Sequence, residues 1–298
     1  MKTTLTITII FVSMLTTLKA QQPTNAAILN AGVQQTLAYA NGKFAVAFKD
    51  LQTGQSLLVN EQFIFHAAST MKTPVLVELY KQAASGKFSL KDSIVIKNNF
   101  SSIADGSPYM LNPSDDSEAA LYRAVGQKTS LDALAYQMII ASSNLATNMM
   151  IELVTAASVM HTLQELGITG LQVLRGVEDN KAYEKGLNNT TTAYAQLQLF
   201  ELMALQKLVS KNASQCMIDI LLDQQFNEII PAHLPPAVKV AHKTGSITGI
   251  QHDCGIVYLP DGRKYVLVLL SKFEGDEKAA IETMANISKQ VYDFMMQH

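Results

Sequence analysis

Ser69-Thr70-Met71-Lys72 heads an apolar run that continues through Tyr80, and this spacing ties a serine and a lysine to one face of a helix. Positions i and i+3 are neighbours on a helix, so the lysine amine lies within reach of the serine hydroxyl. A serine hydroxyl is a poor nucleophile until a neighbouring base activates it, and a desolvated lysine can act as that base. The helix start adds backbone N–H groups and the positive end of a dipole, which suit an oxyanion. Taken alone the pattern is weak. An N-capping serine followed by a solvated lysine has the same spelling.

Two pieces downstream raise its weight. Ala141-Ser142-Ser143-Asn144 falls in a stretch of helical character, with Asn148 one turn beyond Asn144. His242-Lys243-Thr244-Gly245-Ser246 follows a strand-like run, Val238 to Ala241. With these three motifs in the order S-x-x-K, S-x-N and K-T-G, the chain resembles the class A β-lactamase and D,D-peptidase superfamily of serine hydrolases. The resemblance runs from about Phe44 to the last helix. One departure is plain: Ser143 stands where class A enzymes usually carry aspartate, which puts local packing in doubt rather than the chemistry.

The resemblance implies a role for each matching position. Ser69 would attack a carbonyl and become acylated, and Lys72 would ease its deprotonation. Lys72 is expected at a cleft edge, contributing little to the core. Ser142 would relay a proton to the leaving nitrogen, and Asn144 would bind the substrate's side-chain amide. Lys243 would add positive charge, with Thr244 and Ser246 offering hydroxyls to a substrate carboxylate. Gly245 would let its strand lie close to the substrate, and the N–H groups of Ser69 and Ser246 would form the oxyanion hole. A lactamase also needs a carboxylate that activates water, on a loop whose ends here look like Arg175 and Asn189-Thr190-Thr191-Thr192, with Asn189 in place of the usual aspartate. Glu178 suits that role by position in the loop, whereas Glu184 matches the family's local E-x-x-L-N pattern through Leu187 and Asn188. Three activities remain open on this scaffold: a β-lactamase, a D,D-peptidase or esterase that releases the acyl group slowly, and a covalent β-lactam sensor. A sensor would be expected to join a membrane span or signalling domain.

Composition agrees with a secreted or periplasmic enzyme. The 298 residues are 48% hydrophobic, enough for one large core or two closely joined ones. Charged residues make up only 16% with no basic block, which argues against nucleic acid as a partner. Lys2, the apolar stretch Leu5 to Leu15 and Leu18-Lys19-Ala20 read as a signal peptide over residues 1–20. Its removal takes away two lysines and no acid, moving the formal charge from −2 to −4. No later run reaches the roughly 18–20 apolar residues of a membrane span. The expected partner is a small β-lactam or peptidoglycan-like molecule, and the expected state a monomer. Cys216 and Cys254 are too few for a disulfide scaffold, and Cys254, in a strand-like segment, reads as a buried free thiol. The six histidines fall in no metal-ligand spacing, so neither metal nor cofactor is expected.

The coarse pattern is α/β (α+β), an antiparallel sheet flanked by helices and interrupted by an all-helical region. Residues 42–50 alternate into a turn and residues 56–60 return as a hairpin partner. The nucleophile helix extends to about Ala84 and closes at Ser85-Gly86. Residues 87–207 read as largely helical, broken by a polar stretch from Asp105 to Ser117. Strands follow at 238–246, 252–259 and 265–271, the last two joined by Asp261-Gly262. A final helix spans Asp276 to Met296. The expected division is an α/β part at about 24–86 and 210–298 around a helical part at about 87–209.

Overall fold

The computed structural model describes residues 25–297, so the expected signal peptide lies outside the described residues. Helix α1 (Asn25–Ala38) precedes strands β1 (Lys43–Asp50) and β2 (Ser56–Val59). Strand β3 (Phe65–His66) leads through a 3-10 turn, Ala68–Met71, into α2 (Lys72–Ala84). Short strands β4 (Ser93–Val95), β5 (Phe100–Ser101) and β6 (Pro108–Tyr109) follow, then α3 (Ala119–Tyr122) and β7 (Lys128–Ser130). Three helices come next: α4 (Leu131–Ile140), α5 (Asn144–Val154) and α6 (Ala156–Glu165). A long loop holds α7 (Asn180–Glu184) and β8 (Thr190–Thr191), and α8 (Ala193–Ala204) and α9 (Lys211–Leu222) follow it. The chain then forms β9 (Lys239–Ile247), β10 (Ile250–Tyr258), β11 (Lys264–Lys272) and α10 (Glu277–Met296).

Five strands make one antiparallel sheet in the order β2-β1-β11-β10-β9. Alternation along β11 explains how it is covered on both faces. Val266, Val268 and Leu270 face the helical side, with Met71, Leu76 and Phe200 in the same core. Tyr265, Leu267 and Leu269 face the other side with Val33, Met284 and Ile287. A strand buried on both faces reads as a continuous apolar run, as Tyr265 to Leu270 does. Helices α1 and α10 pack together there, with Gln290 Nε2 donating to Thr36 Oγ1 at 2.8 Å. Asp276 caps α10 by accepting from the Ala279 N–H, and Gly86, at φ +79°, follows the end of α2.

The region expected to be largely helical also holds short strands. β4 pairs with β7, β5 with β6, and β3 reaches across to β8. Strands of two or three residues carry no measurable alternation, so the sequence pattern does not reveal them. Helix α8, assigned by sequence to the helical part, lies against β1, β10 and β11. Cys216 and Cys254 are both free thiols, and Cys254 is fully buried.

Candidate active site

The nucleophile motif begins in the 3-10 turn rather than in α2 itself. Ala68 adopts φ +46°, a left-handed conformation uncommon for a residue with a Cβ. Its N–H donates to His66 Nδ1 at 3.1 Å, and Thr70 donates to the Ala67 carbonyl through both its N–H and its hydroxyl. These bonds hold Ser69 half-buried, one turn from Lys72. Lys72 is fully buried, not at an edge. Burial, and next the charge of Lys243, hold its amine well below the ordinary lysine range.

The middle motif is not helical throughout. It spans the junction between α4 and α5, with Ser142 at φ +56° and Ser143 as the N-cap of α5, accepting from the Ala146 N–H. The apolar period continues through both helices, so nothing in it marks the break. The break turns the Ser142 hydroxyl towards two lysines, 3.2 Å from Lys72 Nζ and 3.1 Å from Lys243 Nζ. Lys72 Nζ also donates to the Ser142 carbonyl at 2.6 Å and to Asn144 Oδ1 at 2.9 Å. When Lys72 is neutral it keeps those last two bonds and can accept from the Ser142 hydroxyl, so a proton can pass along this chain of atoms.

Lys243 comes from β9, the edge strand of the sheet, and is fully buried. Burial pulls its pKa down to about 7, against the opposing influence of Asp253 and Cys254. The His242 carbonyl accepts Gln224 Nε2 from outside the sheet. Backbone groups alternate in direction along a strand, so Thr244 and Ser246 also turn theirs outward. The Thr244 carbonyl accepts from Lys243 Nζ at 2.9 Å, and the Ser246 hydroxyl accepts from Gln251 Nε2 at 2.8 Å. Gly245 has a nearer reason than substrate clearance. A Cβ there would stand 3.2 Å from the backbone nitrogens of Ser69 and Thr70, and 3.1 Å from Thr70 Cγ2. The glycine lets the strand lie directly on the nucleophile turn.

The loop after α6 places its three acids differently. Glu178, at φ +60°, accepts from Asn144 Nδ2 at 3.2 Å and from the Asn112 N–H at 3.4 Å. Burial raises its pKa above the usual glutamate range. Asp179 is buried and turned away, accepting from Ser102 Oγ and the Ile103 N–H and capping α7 at the Ala182 N–H. Glu184 ends α7 with its side chain exposed. The loop's position relative to its ends therefore carries Glu178 to Asn144, whereas the local pattern at Glu184 does not lead to the cleft.

Asparagines close the loop. Asn189 Oδ1 accepts the N–H groups of Leu174 and Arg175, and its Nδ2 donates to the Arg175 carbonyl at 3.0 Å. Arg175 makes no ion pair among the described residues; it donates to the Gly176 carbonyl and lies over the Tyr183 ring. Asn148 accepts from the Val177 N–H at 2.6 Å and returns a bond to its carbonyl at 3.0 Å, fixing the backbone beside Glu178. Its place one turn after Asn144 was the available signal. Asp116, which contacts the middle motif, had none, because it lies 28 residues earlier in a polar loop. Among the described residues no group of His, Cys, Asp and Glu is arranged to hold a metal ion.

Comparison with known proteins places this architecture. The chain is 22% identical over 274 residues to Beta-lactamase VEB-1 of Pseudomonas aeruginosa, covering 88% of this chain and 87% of that one. A solved beta-lactamase from Chitinophaga pinensis superposes with a TM-score of 0.78 at 24% identity, over 89% of this chain and 98% of that one. The solved protein PBP-A gives a TM-score of 0.77 at 25% identity, over 91% and 97% of the two chains. The model of the beta-lactamase enzyme family matches residues 28–295, and the chain belongs to that family.

Proposed function

We propose that this protein is an exported serine β-lactamase that opens the β-lactam amide through an acyl-enzyme on Ser69. The observation that carries this reading is the triangle of Lys72, Asn144 and Glu178, which sets a carboxylate one side chain away from the acylation machinery. Ser69 Oγ attacks the lactam carbonyl carbon and gives its proton to Lys72, whose neutral form is favoured by burial. The N–H groups of Ser69 and Ser246 receive the oxyanion, an interaction typically worth about 3–4 kcal/mol of barrier. As the carbonyl–nitrogen bond breaks, Ser142 protonates the leaving nitrogen and regains a proton along the Lys72–Ser142–Lys243 chain.

Asn144 has one amide hydrogen directed at Glu178 and a second available for the substrate's side-chain carbonyl. Thr244 and Ser246 offer hydroxyls to the substrate carboxylate, whose negative charge in turn favours the ammonium form of Lys243 beside them. Deacylation then falls to Glu178, which takes a proton from water as the water oxygen attacks the acyl carbonyl. When the ester bond breaks, a proton returns to the leaving Ser69 Oγ and the opened acid is released. The raised pKa of Glu178 makes it a stronger base than an exposed glutamate.

The similarity to PBP-A favours a second reading, a penicillin-binding hydrolase that deacylates slowly. A related solved structure is described as an acyl-enzyme complex of a PBP-A mutant with penicillin G. Mass spectrometry after mixing with a penicillin separates the two. A lactamase shows an adduct that disappears within the mixing experiment while free penicilloate accumulates. An adduct that persists for hours without product would replace the first reading with the second. Ser69→Ala is expected to abolish the adduct, and stoichiometric labelling of that variant would remove Ser69 from its role.

A further inference from the structure

We infer that Asp116 is the positioning residue for the Ser142–Asn144 segment, acting on that motif from a separate loop. The inference rests on the roles proposed above for Ser142 and Asn144. Asp116 lies just after a 3-10 turn, Pro113–Asp115, and its side chain is buried. Its Oδ2 accepts the N–H groups of Asn144 and Leu145, each at 2.9 Å. The same oxygen takes the Tyr122 hydroxyl at 2.8 Å and the Ser143 hydroxyl at 3.4 Å, while Oδ1 takes the Glu118 N–H at 3.0 Å. Among the described residues no lysine, arginine or histidine lies within ion-pair distance of it.

The first N–H groups of a helix have no partner inside it, and among them the Ser143 hydroxyl satisfies only that of Ala146. Asp116 satisfies the two that remain nearest the site, where a negative charge is also favoured by the helix dipole. Those N–H groups belong to Asn144, whose side chain is shared between Lys72 and Glu178, and to the residue after it. Moving this helix start therefore moves the side chain that joins the two bases. The Asp116 charge also opposes the fall in the Lys72 pKa, together with Glu178 from the loop and against Lys243 from β9. A serine at position 143 is accommodated because the carboxylate arrives from 27 residues earlier. An aspartate at 143 would offer a second way to supply it.

Asp116→Asn, Asp116→Ala and Asp116→Ala with Ser143→Asp test the inference on the full chain. The measurements are amide exchange at Asn144 and Leu145, the pH profile of acylation by a fluorescent penicillin, and Tm. The asparagine variant is expected to fold, to exchange both amides at least tenfold faster, and to acylate at least tenfold more slowly. Its Lys72-dependent limb should move to lower pH, because a negative charge that favoured the ammonium has gone. Adding Ser143→Asp to the alanine variant should return exchange and acylation to within about fivefold of the natural protein. Unchanged exchange and acylation in Asp116→Asn would overturn the inference. So would a double variant that recovers Tm but not acylation. If the natural protein is not labelled by penicillin, the proposed function fails, and amide exchange with its rescue decides this inference alone.

Discussion

Ser142 stands between two fully buried lysine side chains, and the position of its hydroxyl depends on a left-handed backbone at a helix junction. Lys72 gives Ser142 and Asn144 their fixed relation by donating to both. Its burial corrects the expectation of an edge residue. Lys72→Ala should slow acylation on the order of a hundredfold, the usual scale for losing a positioned proton-transfer group. The same change leaves buried oxygens without their donor, at a cost of about 1–3 kcal/mol. Stopped-flow acylation and urea unfolding measure the two effects. A variant as stable as the natural protein would show that those oxygens are readily satisfied by water. Unaltered acylation would leave Lys72 without its proposed role.

Elements were legible where a pattern persisted over many residues. The alternating run at β1, the strand-like runs at β9 to β11, the Asp261-Gly262 turn and the final helix all correspond to observed elements, with Asp276 capping that helix rather than beginning it. The two-residue strands Phe65–His66 and Thr190–Thr191 were not legible, because their pairing joins segments more than a hundred residues apart. Helix α1 was missed for a related reason: only Leu29 and Val33 are buried along it, too few to mark a face. The site motifs were legible in order, but the α4–α5 break and the carboxylate of Asp116 depend on tertiary contacts. Gly245 shows how an element serves the site. In Gly245→Ala the new methyl must push β9 away from the Ser69 turn, since neither backbone nitrogen can yield independently. Misplacement at this scale should slow acylation on the order of tenfold or more. Thermal unfolding of the same protein should change little, because strands β9 and β10 stay paired. Natural acylation kinetics in this variant would mean that the strand position is not critical.

Across the whole molecule, the sheet supplies one buried lysine and the helical side supplies the other, so assembling the fold carries an electrostatic consequence. Lys243 has a pKa of about 7 when folded, against about 10.4 for an unfolded lysine. Between these values an unfolded Lys243 binds a proton that the folded one does not, so its own contribution to stability rises with pH. Buried Lys72 acts in the same direction, and the buried Cys254 thiol, held protonated, acts against both. From pH 7.5 to 9.5, below the range where tyrosines ionise, Lys243 alone contributes a rise of about 1.4 kcal/mol per pH unit. Lys243→Met should lower the slope seen in urea unfolding by that share, leaving the contributions of Lys72 and Cys254. An identical slope would show that Lys243 stays charged in the folded protein. In the proposed mechanism the loop from Arg175 to Asn189 supplies the second chemical step, and Glu178→Gln tests that step most directly. The amide keeps the shape and its contact with Asn144 but loses the basic carboxylate. Mass spectrometry with a penicillin should show a lasting Ser69 adduct on Glu178→Gln, and only a transient one on the natural protein and on Glu184→Gln. Rapid turnover preserved in Glu178→Gln would contradict the account.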